Sequence, residues 1–236
     1  TCPEYDIYSE QAVAQHIEPQ REAREAAELL QACFADLEAA GHFRQDRFGT
    51  RQSAADLAAL MRLLPYDQFN LIGVSYGTRL ALATVALNPE EPPPVRTLVL
   101  DALYPPDQGG LISWPGVVTQ SIERFIRWCQ GRQGCAESVP DLNALLMQAL
   151  KTLESQPLEL SVDSWYRTES IEVVLDDHRM MTTVFSALYN HGDWPMIVEA
   201  LQGVVSEEPE RVTPLVESFI NQALEGGLSR LTFMAV

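Results

Sequence analysis

The sequence predicts an α/β fold, with parallel strands and flanking helices in its first half and a mostly helical region after them. Two observations carry this reading. "FNLIGV" (69–74) and "VRTLVLD" (95–101) are short apolar runs joined by the helical stretch "TRLALATVALN", so that strand, helix and strand fit within 33 residues. Such a unit closes as a parallel pair with a right-handed crossover. From about Leu111 onward, helical periodicity replaces strand-like runs almost to the end.

The elements follow in chain order. "REAREAAELLQACFADLEAAG" (21–41) puts Ala26, Leu29, Leu30, Cys33 and Leu37 on one helical face, with Gly41 where a helix-ending glycine belongs. After the polar link "HFRQDRFG", Thr50 or Ser53 caps a second helix whose buried stripe is Leu57, Leu60, Met61 and Leu64, and Pro65 ends it. "FNLIGV" is the first strand, and the helix behind it runs out at Asn88-Pro89 into a proline-rich turn. "VRTLVLD" is nearly continuously apolar, the pattern of a strand buried on both sheet faces.

Beyond it the chain reads as helices over "SWPGVVTQSIERFIRWCQ", "DLNALLMQALKTLES", "DDHRMMTTVFSALYN", "DWPMIVEALQGVV" and "PERVTPLVESFINQAL". "PLELSV" and "ESIEVVL" alternate like edge or hairpin strands. The expected organisation is therefore a core segment at 1–110, a helical region with its own small core at 111–228, and a return strand at 229–236, "LTFMAV" included.

Composition narrows the function. The 236 residues are 46% hydrophobic and 21% charged, the balance of a globular chain long enough to bury a sizeable core. A net charge of −17 repels phosphate backbones and anionic lipid, which argues against a nucleic-acid partner. No apolar run approaches the roughly 20 residues of a membrane span. The absence of an initiator Met and of a signal-peptide pattern reads as a processed or trimmed piece of something longer.

Cys2, Cys33, Cys129 and Cys135 have no C-x-x-C spacing, so zinc and thioredoxin-type chemistry have little support, and no metal or cofactor is expected. Cys129 and Cys135 flank a polar turn and can close a small disulfide loop; four buried free thiols are the alternative.

The chemistry gathers at "GVSYG". A sharp strand-to-helix turn that lifts a serine hydroxyl clear of the backbone requires a strained, positive-φ serine, and side chains two residues to either side would collide. Gly73 and Gly77 stand at those places around Ser75, with a strand before and a helix after. Chance alone produces Gly-x-Ser-x-Gly in roughly one chain in twelve of this length, so the flanking elements carry the weight. The helix dipole and the Tyr76 backbone N–H would face a developing oxyanion. The alternative is a turn whose serine merely caps the helix.

A nucleophilic serine needs an imidazole base and an orienting acid, in chain order serine, acid, histidine for this kind of turn. Only His178 and His191 follow Ser75, and both lie in the helical region rather than at the end of a core strand; His16 and His42 precede it. Asp101 ends the neighbouring strand, where it is either an acid or simply a polar strand terminator.

At these residues the chain resembles the secreted tripeptidyl-aminopeptidase and proline-iminopeptidase-like serine peptidases of the α/β-hydrolase fold. The resemblance runs through "CPE", "T-x-x-S-A-A-D-L-x-A-L", "FNLIGVSYGTRLAL", "VRTLVLDALYPPD", "FIRWCQGRQGC" and "ALYNHGDWPMIVEAL", over essentially all 236 residues, and is most specific at "GVSYGTRLAL" and "LDALYPPD". It implies a partial α/β-hydrolase core with a helical cap over 111–228. It also implies an exopeptidase acting on peptides with a free amino terminus, with Ser75 as nucleophile and the Tyr76 amide as one oxyanion donor.

It further implies pairing of Cys129 with Cys135 and of Cys2 with Cys33, a periplasmic or secreted location, and a cap carboxylate among Asp193, Glu199, Glu207, Glu208 and Glu217 facing the substrate ammonium. The family's His-Gly-Gly loop and its acid and histidine are lacking here, so the expectation is the middle of an enzyme, inactive alone, whose missing segments come from the rest of the parent chain. An esterase or lipase, and a non-catalytic binding or assembly module, are the rival functions.

Overall fold

The computed structural model describes residues 2–41, 44, 47–87, 90–105, 110–165 and 168–226. Its contacts divide into two units, one formed by Thr1–Ala40 with Gly116–Leu228, the other including Gly41–Pro115. The return strand expected at 229–236 lies outside the described residues, as do His42 and Asn88-Pro89.

In the second unit, helix α3 (Thr50–Leu63) precedes strand β1 (Phe69–Val74), helix α4 (Tyr76–Ala86) and strand β2 (Val95–Asp101). The strands pair in parallel, with Ile72 opposite Val99 and Val74 opposite Asp101. Helix α4 packs on β1 and α3 packs on α4.

Two expectations change here. The buried stripe of α3 is Ala54, Ala58 and Met61, while Leu60 is half exposed and Leu64 exposed. Small side chains at i and i+4 let α3 lie close to α4, which rotates the leucines outward. The strands are also covered on one face only: α4 packs against both, while Ile72 is 75% and Val99 53% exposed. The apolar runs of β1 and β2 thus exceed what the described elements bury.

Helix α3 also starts differently from expectation. Its N-cap is Gly49, without a side-chain cap; Thr50 is the first helical residue and its hydroxyl shares a 2.8 Å hydrogen bond with the Tyr76 phenol.

The first unit holds the large core. Helix α5 (Gly110–Gln130) from Gly116 on, α6 (Gln133–Ser138), α7 (Leu142–Ser155), α8 (Asp177–Ala187), α9 (Trp194–Ser206) and α10 (Pro209–Gly226) accompany an antiparallel pair, β3 (Leu158–Val162) and β4 (Ile171–Leu175). Phe125, Leu153, Met180, Leu201 and Leu215 are fully buried in one apolar cluster. Asp141 and Asp176 cap α7 and α8 through their side chains, satisfying first-turn N–H groups that would otherwise be orphaned. The Cys129–Cys135 disulfide closes the turn between α5 and α6.

Two N-terminal helices, α1 (Pro3–Val13) and α2 (Pro19–Ala39), belong to this unit. Gly41, at φ 72°, follows α2 as the sequence predicts. A disulfide joins Cys2 to Cys33. Arg179 then ties the pair down: it donates to the Ala12 and Gln15 carbonyls at 2.8 and 2.9 Å and pairs with Glu22 and Asp176 at 3.1 Å. Helix α1 carries no apolar period, and only Ala12 in it is buried.

Candidate active site

The turn between β1 and α4 is built by close approach. A Cβ on Gly73 would lie 2.5 Å from the Gly77 carbonyl oxygen and 2.8 Å from the Thr78 nitrogen, so only glycine lets the strand end pass the first turn of the helix. A Cβ on Gly77 meets nothing within 4 Å. The steric requirement is therefore one-sided, and the expectation of a collision at both positions holds for Gly73 alone.

Between them Ser75 has φ 53° and ψ −120°, a conformation that costs a non-glycine residue about 1–3 kcal/mol. It persists because both of its amide groups are held. The Ser75 N–H donates to the Asp101 carbonyl at 3.0 Å, and the Ser75 carbonyl accepts from the Thr78 N–H at 2.9 Å and the Thr78 hydroxyl at 2.6 Å.

Ser75 occupies the N-cap position of α4 yet makes no side-chain capping bond, and it is exposed. The reading of a serine that merely caps its helix does not describe this hydroxyl. Tyr76 is the first residue of α4, so no intrahelical bond can take up its N–H, which sits at the positive end of the helix dipole.

Asp101 meets Ser75 through its main chain; its carboxylate is exposed at the end of β2. No histidine is found among the described residues of this unit. The three described histidines lie in the helical unit with local contacts: His16 is 3.4 Å from Asp176, His178 is 3.7 Å from Asp177, and His191 leans on the Trp194 ring at 4.2 Å.

The acidic candidates of the helical region separate by partner. Glu199 and Glu208 both bind Arg211, at 2.7 and 2.9 Å. Hydrogen bonds from Arg211 and then Ser206 hold the Glu208 carboxyl below its ordinary range. The two carboxylates share this one guanidinium, a pairing that no local sequence pattern announces. Asp193 starts α9, Glu207 follows it in a left-handed conformation at φ 59°, and Glu217 is half-buried on α10.

A shallow cleft of about 690 Å³ in the same unit is lined by Glu10, Gln11, Ala14, Thr168, Glu169 and Glu172 among others; it is acidic and holds no histidine. Among the described residues no group of His, Cys, Asp or Glu is arranged to hold a metal ion, and no helix is long and apolar enough to cross a membrane.

A family model described as alpha/beta hydrolase fold matches residues 14–169, more than half of the chain. The chain belongs to the α/β-hydrolase fold family. No curated protein matches it. In α/β hydrolases generally, a sharp strand-to-helix turn carries the nucleophile, and the backbone N–H of the residue after it donates to the oxyanion. Ser75, Tyr76, and both Gly73 and Gly77 fall inside the matched segment.

Proposed function

We propose that this α/β hydrolase is a serine hydrolase whose nucleophile is Ser75. The observation that carries the reading is the strained Ser75 main chain, which presents an exposed hydroxyl that does not cap the helix behind it. Strain of this kind persists where the surrounding structure enforces it, and it gathers at active sites.

In the proposed reaction Ser75 Oγ attacks the substrate carbonyl carbon while its proton passes to a base. The tetrahedral oxyanion is stabilised by the Tyr76 N–H, and one such donor contributes on the order of 100-fold or more in rate. Collapse expels the leaving group with the base's proton, and water then releases the acyl group from Ser75. The reaction also requires an imidazole base, which the described residues of the unit carrying Ser75 do not include, together with an orienting acid and a second oxyanion donor.

The finer reading is an exopeptidase that cleaves peptides with a free amino terminus. Its support is the resemblance of "GVSYGTRLAL" and "LDALYPPD" to secreted amino-terminal peptidases. With Glu199 and Glu208 engaged by Arg211, the candidates for meeting the substrate ammonium narrow to Asp193, Glu207 and Glu217. The two disulfides fit an oxidising compartment, periplasmic or secreted; a cytoplasmic protein is the alternative.

The test compares turnover of short peptides with free and with acetylated amino termini, beside a simple alkanoate ester. The exopeptidase reading expects acetylation to abolish peptide turnover. Equal turnover of blocked and free substrates, or of the ester alone, makes the protein an esterase or lipase instead, and no turnover of any leaves a binding module.

A further inference from the structure

Thr78, two residues beyond Tyr76, is fully buried, and its hydroxyl works in two directions. It donates to the Ser75 carbonyl at 2.6 Å and accepts from the Tyr104 backbone N–H at 2.8 Å, 26 residues further along the chain. A threonine bonding back to the carbonyl three residues earlier is by itself a common habit of first helical turns. Two features separate this case from that habit: the accepting carbonyl belongs to a residue at φ 53°, and the other side of the hydroxyl is taken by the loop after β2.

That loop already holds Ser75 from its amino side, through the bond from the Ser75 N–H to the Asp101 carbonyl. Residues 101 and 104 therefore grip the serine at both of its amide groups, the second of them only by way of Thr78. Arg79 fastens the same loop once more: it donates to the Pro105 carbonyl at 3.1 Å and its guanidinium lies 5.1 Å from the Tyr104 ring centre. Ala102, between the two anchor points, is itself at φ 51°, so the loop is bent to reach them.

We infer that Thr78 is a positioning residue, whose hydroxyl clamps the Ser75 main chain to residues 101–104 and so fixes the direction of the Ser75 hydroxyl; the inference rests on Ser75 being the nucleophile. Serine or threonine at position 78 can donate and accept at once, whereas valine has the shape and lacks both functions. Without the hydroxyl, the Ser75 carbonyl keeps only the Thr78 N–H and the Tyr104 N–H is orphaned.

The experiment uses the full-length protein with Thr78→Val, Thr78→Ser and Thr78→Ala. Three quantities are read: the rate of Ser75 modification by a fluorophosphonate, the separate kcat and KM of the substrate that turns over, and the melting temperature. Thr78→Val is expected to lower the modification rate and kcat by about 10- to 100-fold at nearly unchanged KM, the scale of a nucleophile displaced by a fraction of an ångström to an ångström. Thr78→Ser restores the rates to within a few-fold of the parent.

Should the valine variant not fold, Thr78→Ala serves in its place. A folded valine or alanine variant that reacts at the parent rate overturns the inference and leaves the Ser75 reading standing, as does a serine variant as slow as the valine one. A parent protein that fails to react at Ser75 removes both.

Discussion

The two units keep their shapes by different means. In the helical unit the buried side chains are large, among them Phe125, Leu153, Met180, Ile197 and Leu201, and they meet in a single apolar cluster. In the unit that carries Ser75 the buried side chains are mostly small: Ala54, Ala58, Thr78, Ala81, Ala83 and Thr84, with Met61 the largest hydrophobic one. Apolar area scales with side-chain size, so the first unit is held chiefly by burial. The second relies on backbones brought close together and on hydrogen bonds to a strained residue. Volume is the sensitive quantity in one, and single atoms at Gly73, Ser75 and Thr78 are in the other.

Substitutions that change one quantity at a time break or sharpen this contrast. The largest effect is expected from Gly73→Ala. Its new methyl group meets backbone at 2.5 Å, which cannot give way as a side chain can, so it should abolish Ser75 reactivity and cost roughly 3–5 kcal/mol or prevent folding. Gly77→Ala points into open space within a helix and should leave the melting temperature unchanged or slightly raised. Equal damage from the two alanines would contradict the one-sided packing of the turn.

In the helical unit, Leu201→Ala removes a fully buried side chain and should cost about 2–5 kcal/mol in urea denaturation, without altering the chemistry at Ser75. The disulfides come next. Cys2–Cys33 closes 31 residues and Cys129–Cys135 only 6, so chain entropy predicts losses of about 4 and about 2 kcal/mol for the paired alanine variants. A reversed order would show that native packing rather than loop length sets their value. Before reduction, the intact protein should weigh about 4 Da less than its four-thiol form, two hydrogens for each bridge.

The smallest effect is a pH dependence at Tyr8. Burial, and then its 3.0 Å hydrogen bond to Glu25, push this phenol up to about 12. The folded state therefore keeps a proton that an unfolded tyrosine loses near pH 10. The associated stability is present below about pH 10 and is lost as pH rises toward 12. Tyr8→Phe should flatten that alkaline decline in the urea midpoint, and an absorbance titration should find one tyrosine ionising late.

How much of this was legible in the sequence follows from the same contrast. β1, β2 and the turn between them could be read because an apolar run and a glycine spacing are local signals, and α5, α7, α8, α9 and α10 because their apolar residues recur at helical intervals. The α3 stripe was misread because leucine outranks alanine in any hydrophobic pattern, while the space against α4 admits only the smaller residue. Helix α1 had no period to find. Pro3 at its first position was the available mark.

The clamp at Thr78 was illegible for a different reason. Its partner, Tyr104, is brought alongside by the parallel pairing of β1 with β2, and no pattern in "GVSYGTRLAL" announces a hydrogen bond 26 residues away. The sharing of Arg211 by Glu199 and Glu208 depends in the same way on α9 lying against α10. The structure also leaves β1 and β2 open on one face, which the continuous apolar runs alone did not predict.

The proposed role of Ser75 is that of a nucleophile and not of a structural turn residue. The most direct measurement treats the full-length protein with a fluorophosphonate and locates the adduct by peptide mass spectrometry. One adduct per chain is expected, on Ser75, and it should disappear in Ser75→Ala while the fold is retained. A folded full-length protein with no adduct, or with its adduct on another residue, would contradict it.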